Sequence, residues 1–336
     1  MPLQRPTLIP GLPRLWRDDH TLQLGSDPAR AVLVELPDRA AADLLDLIDG
    51  TRPERVLIRQ AARRGIPPPE AEALLSTLHE AGLVVPAPAL LPAVLPESER
   101  RRLLGEASAL AHHGLRVPSY TLRRRAAARI RITGEGRLGA SIAVALAESG
   151  VGHVDVDLPG TVSEAELPGG PLGAADVGEA RVKAVTSALL RAAPKIETHP
   201  VRRAAATLLI QLRHRQPVAL LAASLARRRQ PHLAVAIREG VAVIGPFVPA
   251  VGRPCLQCLD LHRRDRDPGW SDPIPPFEPC TVTTLLAATA YATAEALAFV
   301  DGDTPGTRGA SAEMTSPGRT RRRTWHPHPA CPCARQ

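Results

Sequence analysis

Residues 128–157 read ARIRITGEGRLGASIAVALAESGVGHVDVD. Ile130 and Ile132 alternate as in a strand, and the run from Leu138 to Ala147 is apolar at helical length. Residues 151–157 return as a second strand that ends on Asp157. Between strand and helix, Gly134, Gly136 and Gly139 form GxGxxG. In that context the first two glycines permit a tight turn and close backbone approach, and the third lets the helix pack on the strand. The helix N-terminus so exposed favours a phosphate, and Asp157, 18 positions after Gly139, is placed to take a ribose hydroxyl. The bland alternative is that the glycines build a turn and bind nothing.

Further along, Cys255 and Cys258 stand in RPCLQC, and Cys331 and Cys333 in HPACPC. Two short thiolate knuckles close a tetrahedral zinc site, and with four protein ligands the metal is structural. Disulfides are the competing account. Five cysteines in 336 residues are too sparse for a disulfide scaffold, and the N-terminus MPLQRPTLIPGLPRLW lacks the apolar run of a signal peptide. His326 and His328 flank the second knuckle as substitute ligands, and Cys280 is the odd thiol.

At 336 residues the chain exceeds what one core usually serves, so two domains are expected. Residues 284–300 are apolar, yet contain Glu295 and are too short and too rich in Ala and Thr to span a bilayer. A cytoplasmic protein with no membrane partner is expected. The net charge of +8 invites a nucleic-acid reading, but residues 1–95 hold ten Arg against twelve acidic residues, leaving +10 for the rest.

Residues 14–16, 21–24 and 31–35 form short apolar stretches separated by Asp18-Asp19 and Asp27-Pro28, which predicts a three-stranded meander. Helices follow from Asp38 to Gly50, from Pro53 to Arg64, and from Pro69 to before Gly82, with LVV as a returning strand. This is the pattern of a small winged-helix module. Its third helix carries Glu70, Glu72 and Glu80 and no Lys or Arg, so it would repel phosphates and no nucleic-acid partner is expected.

The order of these elements, with the words LQLG, LIDGT and HEAGLV, resembles the PqqD-like peptide-recognition module. The resemblance implies that a leader peptide adds a strand to the meander edge beside the third helix. Leu33 and Leu75 or Leu78 are groove-lining candidates, with a core role as the alternative. The division expected is 1–86 recognition module, 87–120 proline-rich linker and helix, and 121–336 the second domain.

The GxGxxG unit, the DVG of residues 176–178, GPFVPAVGRPCLQCLD and the HPACPC knuckle together resemble the ThiF/MoeB family. These relatives of ubiquitin-activating enzymes adenylate a carboxylate. The fold implied is α/β: the winged-helix module followed by a Rossmann-like domain with a structural zinc. Gly134, Gly136, Gly139, Asp157 and Arg181 would hold ATP, Arg181 in place of a family lysine with Lys183 nearby. This chain departs from the family elsewhere. An Asn-Leu-Asn-Arg-Gln phosphate clamp is replaced by residues 163–170, SEAELPGG, and the third strand offers Gln211, Arg213 and His214 where a magnesium aspartate belongs. Cys280 falls where some relatives keep a nucleophilic cysteine, though no base adjoins it. The implied function is a leader-peptide-binding, non-adenylating, homodimeric scaffold that serves a YcaO-type cyclodehydratase; the alternative is an active adenylyltransferase.

Overall fold

The computed structural model describes residues 3–201, 206–271, 275 and 278–335. The chain divides into two compact units, Met1–Arg123 and Arg124–Gln336.

In the first unit, β1 (Pro6–Leu8) precedes a meander of β2 (Arg14–Trp16), β3 (Thr21–Leu24) and β4 (Val32–Glu35), ordered β2-β3-β4 and antiparallel. The first hairpin turn is held by Asp18, whose carboxylate accepts the amides of His20 at 2.8 Å and Thr21 at 2.7 Å. Three helices follow: α1 (Asp43–Leu47), α2 (Glu54–Arg63) and α3 (Pro68–Glu80). Prolines precede or open α2 and α3, where a missing N–H costs nothing. Leu22 and Leu24 of the meander meet Leu44, Leu57, Leu75 and Leu78 of the helices in one core. Leu75 and Leu78 are therefore core residues; Leu33 is 61% exposed.

β5 (Val84–Pro86) returns to pair with β1 in a separate two-stranded sheet. Beyond it come α4 (Ala87–Leu90), α5 (Glu97–His112) and α6 (Pro118–Ala127). Leu90, Leu91, Leu103 and Leu122 from this stretch close over Ile9 and Val85 in a second small core. The proline-rich segment is thus packed as well as connecting.

The second unit opens with β6 (Arg129–Thr133), α7 (Leu138–Glu148) and β7 (His153–Asp157). α8 (Arg181–Ala192) leads to β8 (Leu208–Gln211), and α9 (Val218–Arg227) to β9 (His232–Arg238) and β10 (Val241–Val248). After α10 (Leu256–Arg266) and α11 (Val282–Asp301), β11 (Ala310–Ser316) and β12 (Arg319–Thr324) finish the sheet. Its order is β12-β11-β10-β9-β8-β6-β7. The pairs among β7, β6, β8 and β9 are parallel and those from β9 to β12 antiparallel, giving a mixed α/β sheet. Because β7 lies on one side of β6 and β8 on the other, the chain reverses direction across the sheet at β6, and a crevice opens there beyond the carboxyl ends of the strands.

α7 is apolar nearly all round because it is covered on both sides: Ile142, Ala143, Leu146 and Ala147 are fully buried, and α11 packs against it. At 20 residues, α11 has the length and apolarity of a membrane-crossing helix, longer than the sequence reading allowed. Its inner face, Leu285, Ala288, Ala292 and Ala296, belongs to the main core. Glu295 on that helix is also buried, and its carboxylate accepts the Gly306 amide at 3.1 Å and the Thr307 amide at 2.7 Å. A helix that buries a satisfied carboxylate is built as the centre of a protein core.

Candidate functional site

The glycine turn joins β6 to α7. Gly134 and Gly136 have φ of +112° and +142°, and a Cβ on Gly134 would stand 2.4 Å from the Arg213 carbonyl oxygen. Gly139 meets the side chains of Leu212 and Leu158 where its own Cβ would be, so it brings α7 onto the sheet. The sequence assigned these three roles from spacing. A cavity of about 160 Å³ adjoins the turn, lined by Thr133, Gly134, Asp157, Gln211 and His214 among others.

A group the sequence did not single out lies on this turn. Glu278, 7% exposed, places Oε2 3.0 Å from the Arg137 amide, and a Cβ added to Gly136 would lie 2.8 Å from the same oxygen. This is the donor set that a phosphate takes at a helix N-terminus. Burial pushes the Glu278 carboxyl above the ordinary range, against the pull of the Arg137 amide and the charge of Arg213. Nothing local in PFEPCTV announces this contact, because it depends on long-range folding.

The remaining nucleotide candidates are each committed elsewhere. Asp157 is paired with Arg131 at 2.7 Å and accepts Thr133 Oγ1 at 3.2 Å; Arg131 also holds Asp155 at 2.8 Å. Arg181 donates to both carboxylate oxygens of Glu166 at 2.8 and 2.9 Å, and to the carbonyl oxygens of Pro159 and Thr161. Burial alone would raise Glu166, but Arg181 and Ser163 hold its carboxyl below the usual value. Lys183 pairs with Glu179 at 2.6 Å. Where the family resemblance implies a magnesium aspartate, Gln211 donates to the Leu212 carbonyl at 3.0 Å and Arg213 to that of Ile237 at 3.0 Å. Arg181 and Lys183 offer no free phosphate seat, and Gln211 and Arg213 offer no carboxylate at the magnesium position, so these positions do not fit a triphosphate in this arrangement.

Cys280 is half-buried, and burial pushes its thiol up, the opposite of what a nucleophile needs. Next to the turn, a cavity of about 320 Å³ is lined by Arg213, Arg215, Arg238, Arg263 and Arg264 beside Asp260 and Trp270. Of these arginines the sequence reading singled out Arg213, at the position where the family resemblance implies a magnesium aspartate.

The two cysteine knuckles meet. Cys255 and Cys258 stand at the start of α10, and the Sγ separations are 4.0 Å between them, 3.6 Å from Cys255 to Cys331 and 3.2 Å from Cys258 to Cys333. None is disulfide-bonded, and Zn–S bonds of about 2.3 Å would set tetrahedral sulfurs about 3.8 Å apart. Burial pushes Cys331 up to about 11 and raises Cys333 as well. Burial also acts to raise Cys258, but the amide of His328, 3.4 Å from its sulfur, with Cys333 and Cys255, lowers it overall. Four crowded sulfurs that share protons this unevenly fit a soft divalent cation, which would replace those protons. His328 supports the cluster from outside, pairing with Asp265 at 2.8 Å rather than replacing a thiolate.

In the first unit β4 is an edge strand, bonded among the described residues only to β3. Beside it a groove of about 510 Å³ is lined by Leu33, Leu36, Ile66, Glu70, Ala73 and Leu74, running between the strand and α3.

The ThiF family model matches residues 115–222, so the chain carries a ThiF-family domain. No curated protein matches the chain. The chain is similar in structure to Escherichia coli MccB with ATP, at TM-score 0.64 and 15% identity, covering 98% of this chain and 99% of that one. It is similar to the microcin C7 biosynthetic enzyme MccB in complex with N-formylated MccA, at TM-score 0.63, 15% identity and coverage of 98% and 99%. PaaA is a third, at TM-score 0.62, 18% identity and coverage of 94% and 98%. At these identities the likeness establishes the fold.

Proposed function

From a ThiF-family domain over residues 115–222, we propose that this chain binds the leader of a ribosomally made precursor peptide and presents it to a separate modifying enzyme, without adenylating it. The observation that carries this is the open edge of β4 beside the apolar groove along α3. An extended peptide can add a strand there, gaining backbone hydrogen bonds while alternate side chains enter the groove. In this reading the first unit is a PqqD-like winged-helix module, and Leu33 touches the peptide. MccB, similar over almost the whole chain, has been captured with its MccA peptide, which supports peptide binding by this architecture. By resemblance the client is a YcaO-type cyclodehydratase, the protein works in the cytoplasm as a homodimer, and the four cysteines hold a structural zinc.

Adenylation is set aside because Glu278 takes the phosphate position, Arg181 is held by Glu166, and Gln211 replaces a metal-binding carboxylate. A second reading, an active adenylyltransferase, draws on MccB having been captured with ATP and on the cavity beside Asp157.

Selection from a displayed random-peptide library tests the first reading, with Leu33→Asp as the control surface. Sequences enriched on the native protein should lose at least tenfold affinity for the variant; equal retention on both removes the groove from the account. ATP–pyrophosphate exchange in the presence of a selected peptide decides the second, since sustained exchange would restore adenylation.

A further inference from the structure

At the far end of β7 from Asp157, His153 opens the strand, and β7 is the edge of the seven-stranded sheet. The segment around Glu197 lies parallel to that edge: the Glu197 amide donates to the Gly152 carbonyl at 2.9 Å and the Val154 amide to the Glu197 carbonyl at 3.0 Å. This rung brings three side chains together, His153, Glu197 and His199, whose ligand atoms all lie within 4.8 Å of one another.

The histidine chemistry is specific. His153 is 4% exposed, and its Nε2 lies 2.7 Å from the His199 carbonyl oxygen. A carbonyl only accepts, so Nε2 carries the proton and, in the neutral ring, Nδ1 presents its lone pair. That Nδ1 is buried, has no hydrogen-bond partner among the described residues, and faces Glu197 Oε2 at 3.4 Å. A lone pair directed at a carboxylate is repulsive unless a cation stands between them. A proton on Nδ1 would answer only the His153–Glu197 contact and leave out the His199 ring, whose centroid lies 4.3 Å away at a 50° tilt. A divalent metal attracts all three groups at once.

We propose that His153 Nδ1, Glu197 and His199 Nδ1 bind one borderline divalent cation of the zinc type. Ligand bonds of about 2.0–2.2 Å in a tetrahedron separate donors by about 3.4 Å, the distance already found between His153 and Glu197. His199 Nδ1 stands 3.9 Å from the same carboxylate on a side chain 67% exposed, free to close the remaining gap. Donation of the other ring nitrogen to a backbone carbonyl is the support that metal-bound histidines usually have. Three protein ligands leave a fourth position for water. The site shares no residue with the cysteine cluster, and β7 separates His153 from Asp157 beside the glycine turn by four residues, about 13 Å.

The full-length protein, freed of metal and reduced, is titrated with Co2+ and separately with Zn2+. Cobalt on thiolates gives an intense near-ultraviolet charge-transfer band that imidazole and carboxylate ligands do not, so filling of this site is read as d–d absorption growing without that band. His199→Ala and Glu197→Gln should each lose one metal equivalent, or bind it at least tenfold more weakly, with the thiolate band unchanged. His199→Ala keeps the backbone carbonyl that holds His153, and matching metal-free melting curves confirm the fold. Equal stoichiometry and affinity in native and variant proteins, or filling only at millimolar metal, overturns the proposal and leaves a protonated His153–Glu197 pair.

Discussion

The Glu278 carboxylate accepts the backbone amide of Arg137 at 3.0 Å and lies against Gly136, so a residue of the chain itself occupies the anion position of its glycine turn. Two like charges about 4 Å apart at a partly buried site repel by roughly 4 kcal/mol, enough to exclude a phosphate from the same amide. By calorimetry the native protein is expected to give no heat with millimolar Mg·ATP. Glu278→Ala, which removes both charge and bulk, is expected to gain at least tenfold in affinity. Native binding as tight as the variant's would mean that Glu278 moves aside freely.

The same carboxyl predicts a pH dependence. Its folded value is raised above the ordinary 4.5, chiefly by burial. Below that ordinary value it is protonated folded or unfolded and costs nothing. As pH climbs toward the raised folded value, the unfolded chain ionises first, and stability falls. Glu278→Gln should flatten this slope in denaturant unfolding measured from acid to neutral pH. An unchanged slope would show that other groups set it.

Arg181 gives the opposite sign. Its bidentate pair with Glu166 is mostly buried, at 15% and 13% side-chain exposure, and Glu166 is held below 4.5. That contribution is complete above the unfolded value and is lost as pH falls through the depressed folded one. Arg181→Ala leaves Glu166 with only the Ser163 amide and hydroxyl as donors and two carbonyls without theirs, and should cost about 3 kcal/mol at neutral pH with no change in peptide affinity. A loss below about 0.5 kcal/mol would return Arg181 to the list of ligand-binding residues.

What the sequence displays well is whatever depends on near neighbours. The unit β6-α7-β7 is legible because strand, glycine turn and helix are contiguous and each has its own period, and the β2-β3-β4 meander because Asp18 and Asp27 mark its turns. The cysteine knuckles are legible because the chemistry of paired thiols survives any separation. β11 was not, since ASAEMTS lacks a strand's β-branched composition and is specified by pairing with β10 and β12. β1 has three residues and exists through β5. Arg131, Arg181 and Glu278 were each assignable to solvent or ligand by sequence, and what neutralises them, Asp155 and Asp157, Glu166, and the Arg137 amide, is fixed by tertiary register.

The Arg125–Asp301 pair tests how the second unit is held at the end of α11. Arg125 Nε and Nη2 donate to Asp301 at 2.9 and 2.7 Å, and the arginine side chain is 4% exposed. Truncating one member strands the other's charge, so Asp301→Ala should destabilise by about 3–5 kcal/mol in chemical unfolding. The double variant Arg125→Met/Asp301→Ala should recover much of that, because the uncompensated buried charge is gone. Equal losses in single and double variants would mean that packing, and not charge, dominates there.

The cysteine cluster offers the strongest linkage between ligand and fold. A metal that binds only the folded chain stabilises it by about 4 kcal/mol when free metal is 1,000 times Kd. Chelation should therefore lower the melting temperature in a metal-dependent way and free the knuckle at Cys331 and Cys333 from Cys255 and Cys258 at the start of α10. Cys258→Ser should reproduce the effect, since Cys258 is fully buried and approaches Cys333 at 3.2 Å. Metal analysis of the purified protein is expected to fall by one zinc in that variant. If native protein and Cys258→Ser carry equal zinc and melt alike in the presence of a chelator, the four thiols are merely packed together, and the C-terminal knuckle is held by the contacts around Trp325 and His328 instead.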